Sequence, residues 1–190
     1  MSTGYTQGFG NIFPNTAIVD VAGAGIGFTA DFAYRVATRF SVDWEGQYQI
    51  FAAENAGTSE GFNTNAGVTF HAMPHTHVDP WLRIAAGWRS VWQRNPNPDY
   101  YVYTPSGTFV ANSTNWFHGW EIANLRLGVD IRTGSNVAWA PFAGATLQTF
   151  LWENSQTLSS AQWGTYIYAG LQARFDFGGT TTTNPALAGR

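Results

Sequence analysis

The chain has 190 residues and a hydrophobic fraction of 44%, enough for one domain with a core of its own, and it has no cysteine, which excludes thiol catalysis, disulfide frameworks and Cys-ligated zinc. Charged residues make up only 11% against roughly 25% in a typical soluble domain, and the nine basic residues are all arginine with no basic run to neutralise nucleic acid. Aromatic residues reach 16% with nine tryptophans, which argues against disorder, while no stretch approaches the roughly 18 apolar residues of a spanning helix.

Period two runs through the chain, as expected of strands with two unlike faces. Residues 1–5 carry no charged segment before an apolar one, so export implies a signal already removed. Segment 5–13 alternates poorly and precedes a turn at Pro14 and Asn15. A strand is expected over 22–35. In 39–50 the odd positions, among them Arg39, Asp43 and Glu45, are polar, while Phe40, Val42, Trp44, Tyr48 and Ile50 are apolar. After a strand over 62–73, segment 81–93 sets Arg83 and Arg89 against Leu82, Ile84, Trp88 and Trp92. Segment 123–132 sets Asn124, Arg126, Asp130 and Arg132 against Leu125, Leu127, Val129 and Ile131. A strand over 139–151 follows, and 166–177 sets Tyr166, Tyr168, Gln172, Arg174 and Asp176 against Ile167, Leu171, Phe175 and Phe177.

Brief connections at 36–37, 74–80 and 134–136 alternate with longer ones at 55–60, 95–115 and 154–162, the pattern of an antiparallel meander with its long loops at one end. The charges decide which face is wet. They fall on the polar faces or in loops, and the polar faces use Arg, Asp, Asn, Gln, Tyr and Gly in place of the Lys and Glu of a water-facing surface. Such residues suit mutual hydrogen bonding in a narrow interior. Trp81 and Trp92, eleven residues apart, would span roughly 25–28 Å of membrane normal on a strand tilted about 40°, the height of an apolar band with an aromatic girdle at each rim. Tyr34, Phe40, Trp139, Phe175 and Phe177 belong to the short-turn rim, and Trp92, Trp116, Trp120, Trp152 and Trp163 to the long-loop rim. In lipid an open sheet edge is not tolerated, so the seven clear strands need an eighth, and 5–13 is the candidate.

The glycine-rich alternation of Ala22-Gly23-Ala24-Gly25-Ile26-Gly27-Phe28, the run Pro141-Phe142-Ala143-Gly144-Ala145 and the ending Gly170-Leu171-Gln172-Ala173-Arg174-Phe175-Asp176-Phe177 resemble small bacterial outer-membrane barrels of the OmpA, OmpX and OmpW type. The resemblance covers about 15–178 and implies an all-β, eight-stranded antiparallel up-and-down transmembrane β-barrel in the bacterial outer membrane. The expected division is a barrel over 1–178 and a flexible tail over 179–190. The chain departs from the family after Phe177, where a Gly- and Thr-rich tail replaces the usual aromatic end.

The candidate interior network comprises Arg39, Asp43, Glu45, Arg83, Arg89, Arg126, Asp130, Arg132, Tyr166, Tyr168, Arg174 and Asp176. Eight strands enclose only enough room for side chains, so these groups are expected to pair as a plug, although an arginine excess would favour anions. His71, His75 and His77 with Asp79 have the residue types of a transition-metal site, but a polar turn explains them equally, and neither metal nor cofactor is expected. Ser90 and His118 near the long-loop end lack an obvious third residue for a hydrolytic triad. Loop 95–115, with Tyr100, Tyr101 and Tyr103, has the composition of an adaptable binding surface. The expected partners are outer-membrane lipid and an extracellular ligand or protein at this loop, with no nucleic acid and the oligomeric state open. The expected role is structural or surface interaction without enzymatic activity, the alternatives being a narrow channel for small or hydrophobic solutes and a soluble ligand-binding barrel.

Overall fold

The computed structural model describes residues 1–13, 16–53, 57–94, 101–104, 107–110, 114–133, 137–154 and 156–175. In chain order the elements are β1 (Ser2–Phe13), β2 (Thr16–Ala17), α1 (Ile18–Ala22), β3 (Ala24–Ala37), β4 (Phe40–Ala53), β5 (Gly57–His71), β6 (Val78–Arg94), β7 (Tyr101–Thr104), β8 (Gly107–Val110), β9 (Thr114–Arg132), β10 (Val137–Glu153) and β11 (Gln156–Phe175). Neighbouring long strands pair antiparallel in the order β1-β3-β4-β5-β6-β9-β10-β11. β1 closes the ring: Ser2 pairs with Thr29 of β3 on one side and Gln172 of β11 on the other. The segment with the weakest alternation is therefore the eighth strand.

The two faces are inverted relative to a soluble domain. Ile26, Phe28, Phe32, Ile84, Leu125, Leu127, Ile167 and Leu171 are exposed on the outer wall, while Glu45, Arg89, Glu121, Arg126 and Asp130 are buried inside. An apolar exterior around a charged interior excludes the soluble ligand-binding barrel, whose core would be apolar. Tyr34, Phe40, Trp139 and Phe175 are exposed near the short turns, and Trp116, Trp120 and Trp163 near the long loops, as the girdles require. β5 and β11 begin earlier than the alternation suggests, so the loops before them are shorter. Inside 95–115, residues 101–104 and 107–110 pair as a separate two-stranded sheet, β7 with β8, and 114–115 begin β9. The expected tail over 179–190 lies outside the described residues.

Two expectations are corrected. Arg39 does not join the interior: it occupies the Thr38–Arg39 turn and is exposed, with its carbonyl accepting from the His71 N–H at 2.8 Å. The alternation of β4 starts at Ser41, and extending it to Arg39 carried it into the turn. Trp81 is not a girdle residue. Eleven is an odd separation, so Trp81 and Trp92 face opposite sides of one strand. The Trp81 ring lies inside over Gly128, where an added Cβ would sit 2.2 Å from Cζ2, and its Nε1 donates to Asp130 at 2.8 Å.

The β9 strand changes parity along its length. Phe117, Gly119 and Glu121 point inward at odd positions, then Asn124, Arg126 and Asp130 point inward at even ones. Leu147 pairs with Ala123 and Gln148 with Glu121, which leaves Ile122 as an extra residue, a β-bulge. This bulge sends the even-numbered Trp116, His118 and Trp120 outward while the even-numbered arginine and aspartate point in.

Between β1 and β3 the chain turns into the barrel mouth. The apolar run Ile18-Val19-Asp20-Val21-Ala22 forms α1, with Asp20 accepting from the Ala17 N–H at 3.1 Å. Ile18, Val21 and Ala22 are buried among Ile12, Phe51, Val91, Phe117, Phe150 and Tyr166, an apolar cap above the charged tier. Ile18 seats where Gly164 offers no side chain, since a Cβ there would lie 2.2 Å from its Cδ1. Truncating this fully buried side chain should leave a cavity that the rigid ring cannot close. Ile18→Ala is expected to lower the unfolding free energy in lipid vesicles by about 2–5 kcal/mol, and Ile18→Val by about 0.5–1.5 kcal/mol, measured by urea titration. Equal and negligible effects would show that α1 is not seated in the mouth.

Candidate functional site

Below the cap, arginines and carboxylates form tiers down the barrel axis. In the upper tier Arg89 donates through Nη2 to Glu121 at 3.0 Å and through Nη1 to Gln49 at 2.6 Å. Glu121 also accepts from Asn63 and Asn65, each at 3.2 Å, and from Asn124 at 2.7 Å. The Arg89 guanidinium lies 4.4 Å from the Tyr166 ring centre, within cation–π range. In the middle tier Arg126 faces Glu45 with both terminal nitrogens, Nη2 donating to Oε1 at 2.8 Å and Nη1 lying 2.7 Å from Oε2. Tyr168 donates to Asn124, and Arg126 stands over the Phe142 and Tyr168 rings. Arg83 donates to Asp43 at 2.6 Å and to Asn65 at 2.6 Å, and Thr69 donates to the second Asp43 oxygen at 2.9 Å.

At the short-turn end Asp130 holds Trp81 on one oxygen and Arg174 on the other. Beside it, His71 Nδ1 meets Asp79 at 2.7 Å, and the Met73 N–H donates to the other Asp79 oxygen at 2.9 Å. The planar guanidinium fork suits these contacts, which explains why the interior cations are arginine in a chain without lysine. A cavity of about 20 Å³ near the short-turn end, bordered by Asp43, Glu45, Arg83, Arg126 and Arg174, has room for little more than one water molecule.

Most of the predicted network is brought together. Asp43, Glu45, Arg83, Arg89, Arg126, Asp130, Tyr166, Tyr168 and Arg174 line the interior, and Arg132 is half-buried at the short-turn end. Arg39 is outside it, and Asp176 lies beyond the described residues. The expected arginine excess is reduced, because Arg39 leaves and Glu121 and Asp79 join. Glu121 went unrecognised because the bulge at Ile122 reverses its parity. The signal was present: indoles occupy even positions up to Trp120, and charges occupy them from Arg126 onward. Asn63, Asn65 and Gln49 are amides that period two alone does not single out as ligands of carboxylates.

The remaining candidates resolve differently. His75 and His77 are exposed in the turn, while His71 and Asp79 are buried and joined by Asp130, with all three ligand atoms within 4.8 Å. Their oxygens are already engaged by Trp81, Arg174 and the Met73 N–H, so the cluster is satisfied by protein donors. Ser90 Oγ lies 3.0 Å from His118 Nδ1 on the outer wall, and among the described residues no carboxylate orients the imidazole. Tyr101 and Tyr103 lie on β7, their side chains outside the described set, and Tyr100 lies outside the described residues.

The tiers make a measurable demand. Removing one partner leaves a buried charge uncompensated, which costs about 3–5 kcal/mol, whereas removing both together is far less costly. Arg89→Met is expected to destabilise the barrel by that amount in urea titration, and adding Glu121→Gln to recover more than half of the loss. Additive losses would show that the two groups are not coupled.

No protein-family model and no curated protein sequence matches the chain. Among solved structures it is similar to Neisserial surface protein A, at 12% identity over 92% of this chain and 94% of that one, with a TM-score of 0.53. It is also similar to Ail, the attachment invasion locus protein of Yersinia pestis, at 14% identity over 92% and 95% of the two chains with a TM-score of 0.45. A second Ail structure, in complex with the heparin analogue sucrose octasulfate, gives 15% identity over the same shares and a TM-score of 0.46. The closed ring of eight antiparallel strands, apolar outside and charged within, is thus that of a transmembrane β-barrel, and the chain has the fold of the small bacterial outer-membrane proteins.

Proposed function

We propose that the chain is a closed outer-membrane barrel with a structural or surface-interaction role, its interior plugged and its contacts made by its outer wall and long-loop end. The observation that carries this reading is the stacking of the Arg89–Glu121 tier directly beneath the apolar cap formed by α1. A hydrated ion entering from the long-loop end would first have to displace buried Ile18, Phe51 and Phe150, then separate charge pairs whose partners are held by further hydrogen bonds. The barrel is taken to span 1–178, followed by a tail over 179–190. Loop 95–115, rich in Tyr, Asn, Ser and Gly, is the proposed contact surface for an extracellular ligand or protein, with Tyr100, Tyr101 and Tyr103 as the contact side chains.

Two measurements test the reading. In a planar bilayer the native barrel is expected to give no steady conductance, whereas a chain with Ile18→Asp and Arg89→Ala together should conduct, because that pair disrupts both the cap and the tier beneath it. A steady open state in the native barrel would overturn the plug in favour of a narrow channel. For the loop, replacing all three tyrosines with serine should abolish binding of barrel-bearing vesicles to immobilised extracellular proteins while leaving heat-modifiable migration unchanged, and undiminished binding would remove the loop from the proposal.

A further inference from the structure

The short-turn end of the barrel gathers basic side chains on turns that are tied to their neighbours. The Thr38–Arg39 turn between β3 and β4 is joined to the end of β5 by the His71 N–H, which donates to the Arg39 carbonyl at 2.8 Å. The turn between β5 and β6 is joined to the end of β9 by the Arg132 N–H, which donates to the His77 carbonyl at 2.9 Å. Since β4 pairs with β5 and β6 with β9, Arg39, His75, His77 and Arg132 follow one another along one arc of the rim. Arg35 stands behind the first turn, its Nη1 donating to the Thr38 carbonyl at 2.8 Å.

The arc is held from within. The Met73 N–H donates to Asp79 at 2.9 Å and the Thr76 N–H to the Met73 carbonyl at 3.1 Å, which clamps the base of the turn that carries His75 and His77. Arg39, His75 and His77 are exposed, and Arg35 and Arg132 are half-buried. The carboxylates Asp79 and Asp130 are fully buried beneath them, the first engaged by His71 and the second by Trp81 and Arg174. Positive groups therefore lie at the surface of this end, with these two negative ones below it.

The basic residues are also chain neighbours of exposed apolar ones. Arg35 lies between Tyr34 and Val36, Arg39 precedes Phe40, His77 precedes Val78, and Arg132 follows Ile131. Tyr34 and Phe40 belong to the aromatic girdle, where hydrocarbon gives way to headgroups. A guanidinium one residue beyond that girdle, carried on a long stem, reaches the level of the lipid phosphates. Its planar fork matches phosphate oxygens, and an imidazole donates an N–H in either protonation state.

We propose that this arc is a docking surface for the phosphodiester head of an anionic phospholipid in the leaflet on the short-turn side. Arg39, His75 and His77 make the contact, and Arg35 and Arg132 add positive potential behind it. The cations are interleaved with side chains that belong in hydrocarbon, so an occupant with both a charge and acyl chains suits the rim better than a soluble anion. A zwitterionic head fits less well, because it brings an ammonium that the arc repels. Docking of this kind requires the membrane-spanning ring but neither the interior plug nor the long loop.

The test reconstitutes the full chain in nanodiscs of phosphatidylethanolamine with a minor share of phosphatidylglycerol, and counts by native mass spectrometry the lipids that leave with the barrel. The native chain is expected to retain phosphatidylglycerol beyond its share of the bilayer. Arg39→Gln should lower that preference about fivefold, the effect of one cation at an anionic membrane surface, and Arg39→Lys should keep most of it. His75→Ala with His77→Ala should lower it by a smaller factor, and Ile26→Ala, at the long-loop end of the wall, should leave it unchanged. Equilibration in about 1 M salt should remove the preference, because exposed charges are screened. The substituted side chains are exposed, and heat-modifiable migration should confirm that each variant folds. Equal preference in the native and Arg39→Gln barrels overturns the proposal, as does an equal loss with Ile26→Ala. Glycerol phosphate or polyglutamate bound as tightly as the lipid, in nanodiscs of phosphatidylethanolamine alone, overturns the membrane source.

Discussion

Closure of the backbone ladder is the constraint on which the rest depends. Once β1 pairs with both β3 and β11, the ring of eight long strands has no open edge, and each residue of that ring has two places to go: the lipid or a narrow interior. The interior of eight strands is too small for free water in quantity, so polar side chains that enter it must satisfy one another. The low charge content of the chain is a consequence of that geometry, since the outer wall takes almost none and the inner space holds only a few pairs.

The interior is built from pairs that would be poor sources of stability if considered singly. Desolvating a guanidinium and a carboxylate costs about as much as their attraction returns, unless further hydrogen bonds hold the remaining lone pairs and protons. Glu121, which accepts from Arg89, Asn63, Asn65 and Asn124, shows how those bonds are provided. Tyr168 ties Asn124 to the middle tier and Asn65 accepts from Arg83, so the tiers form one connected network rather than isolated pairs. Such connection favours a single arrangement of the interior. Above it, α1 adds apolar burial of the kind a soluble core uses, confined to the mouth.

Period two was enough to read the fold because strand faces alternate without exception until a bulge intervenes. The segments around Glu45, Arg83 and Tyr168 obey it, and their side chains face as the alternation requires. Three features escaped it for physical reasons. Residue type points Trp81 to the girdle against its own parity, although its odd spacing from Trp92 places the two on opposite faces of the strand. Glu121 was hidden by an inserted residue, which pattern reasoning sees only as a change of phase. The Ile18–Ala22 run is too short to show a helical period, and its fate is set by a cavity whose walls come from β1, β4, β6, β9, β10 and β11, which no local pattern contains.

The bulge at Ile122 joins the two halves of the molecule. Without it, β9 would have to choose between an upper half that points Trp116, His118 and Trp120 to the lipid and a lower half that points Arg126 and Asp130 to the interior, since all five are even-numbered. One inserted residue lets the same strand do both. The cost is local, an interrupted ladder between Leu147 and Gln148, and the two consequences lie on opposite sides of the wall: Glu121 is turned in beneath the cap to meet Arg89, and the indoles are turned out around Ser90 and His118. The irregularity in the backbone thus completes both the interior charge pairing and the polar patch on the exterior, and straightening β9 would disrupt the two together.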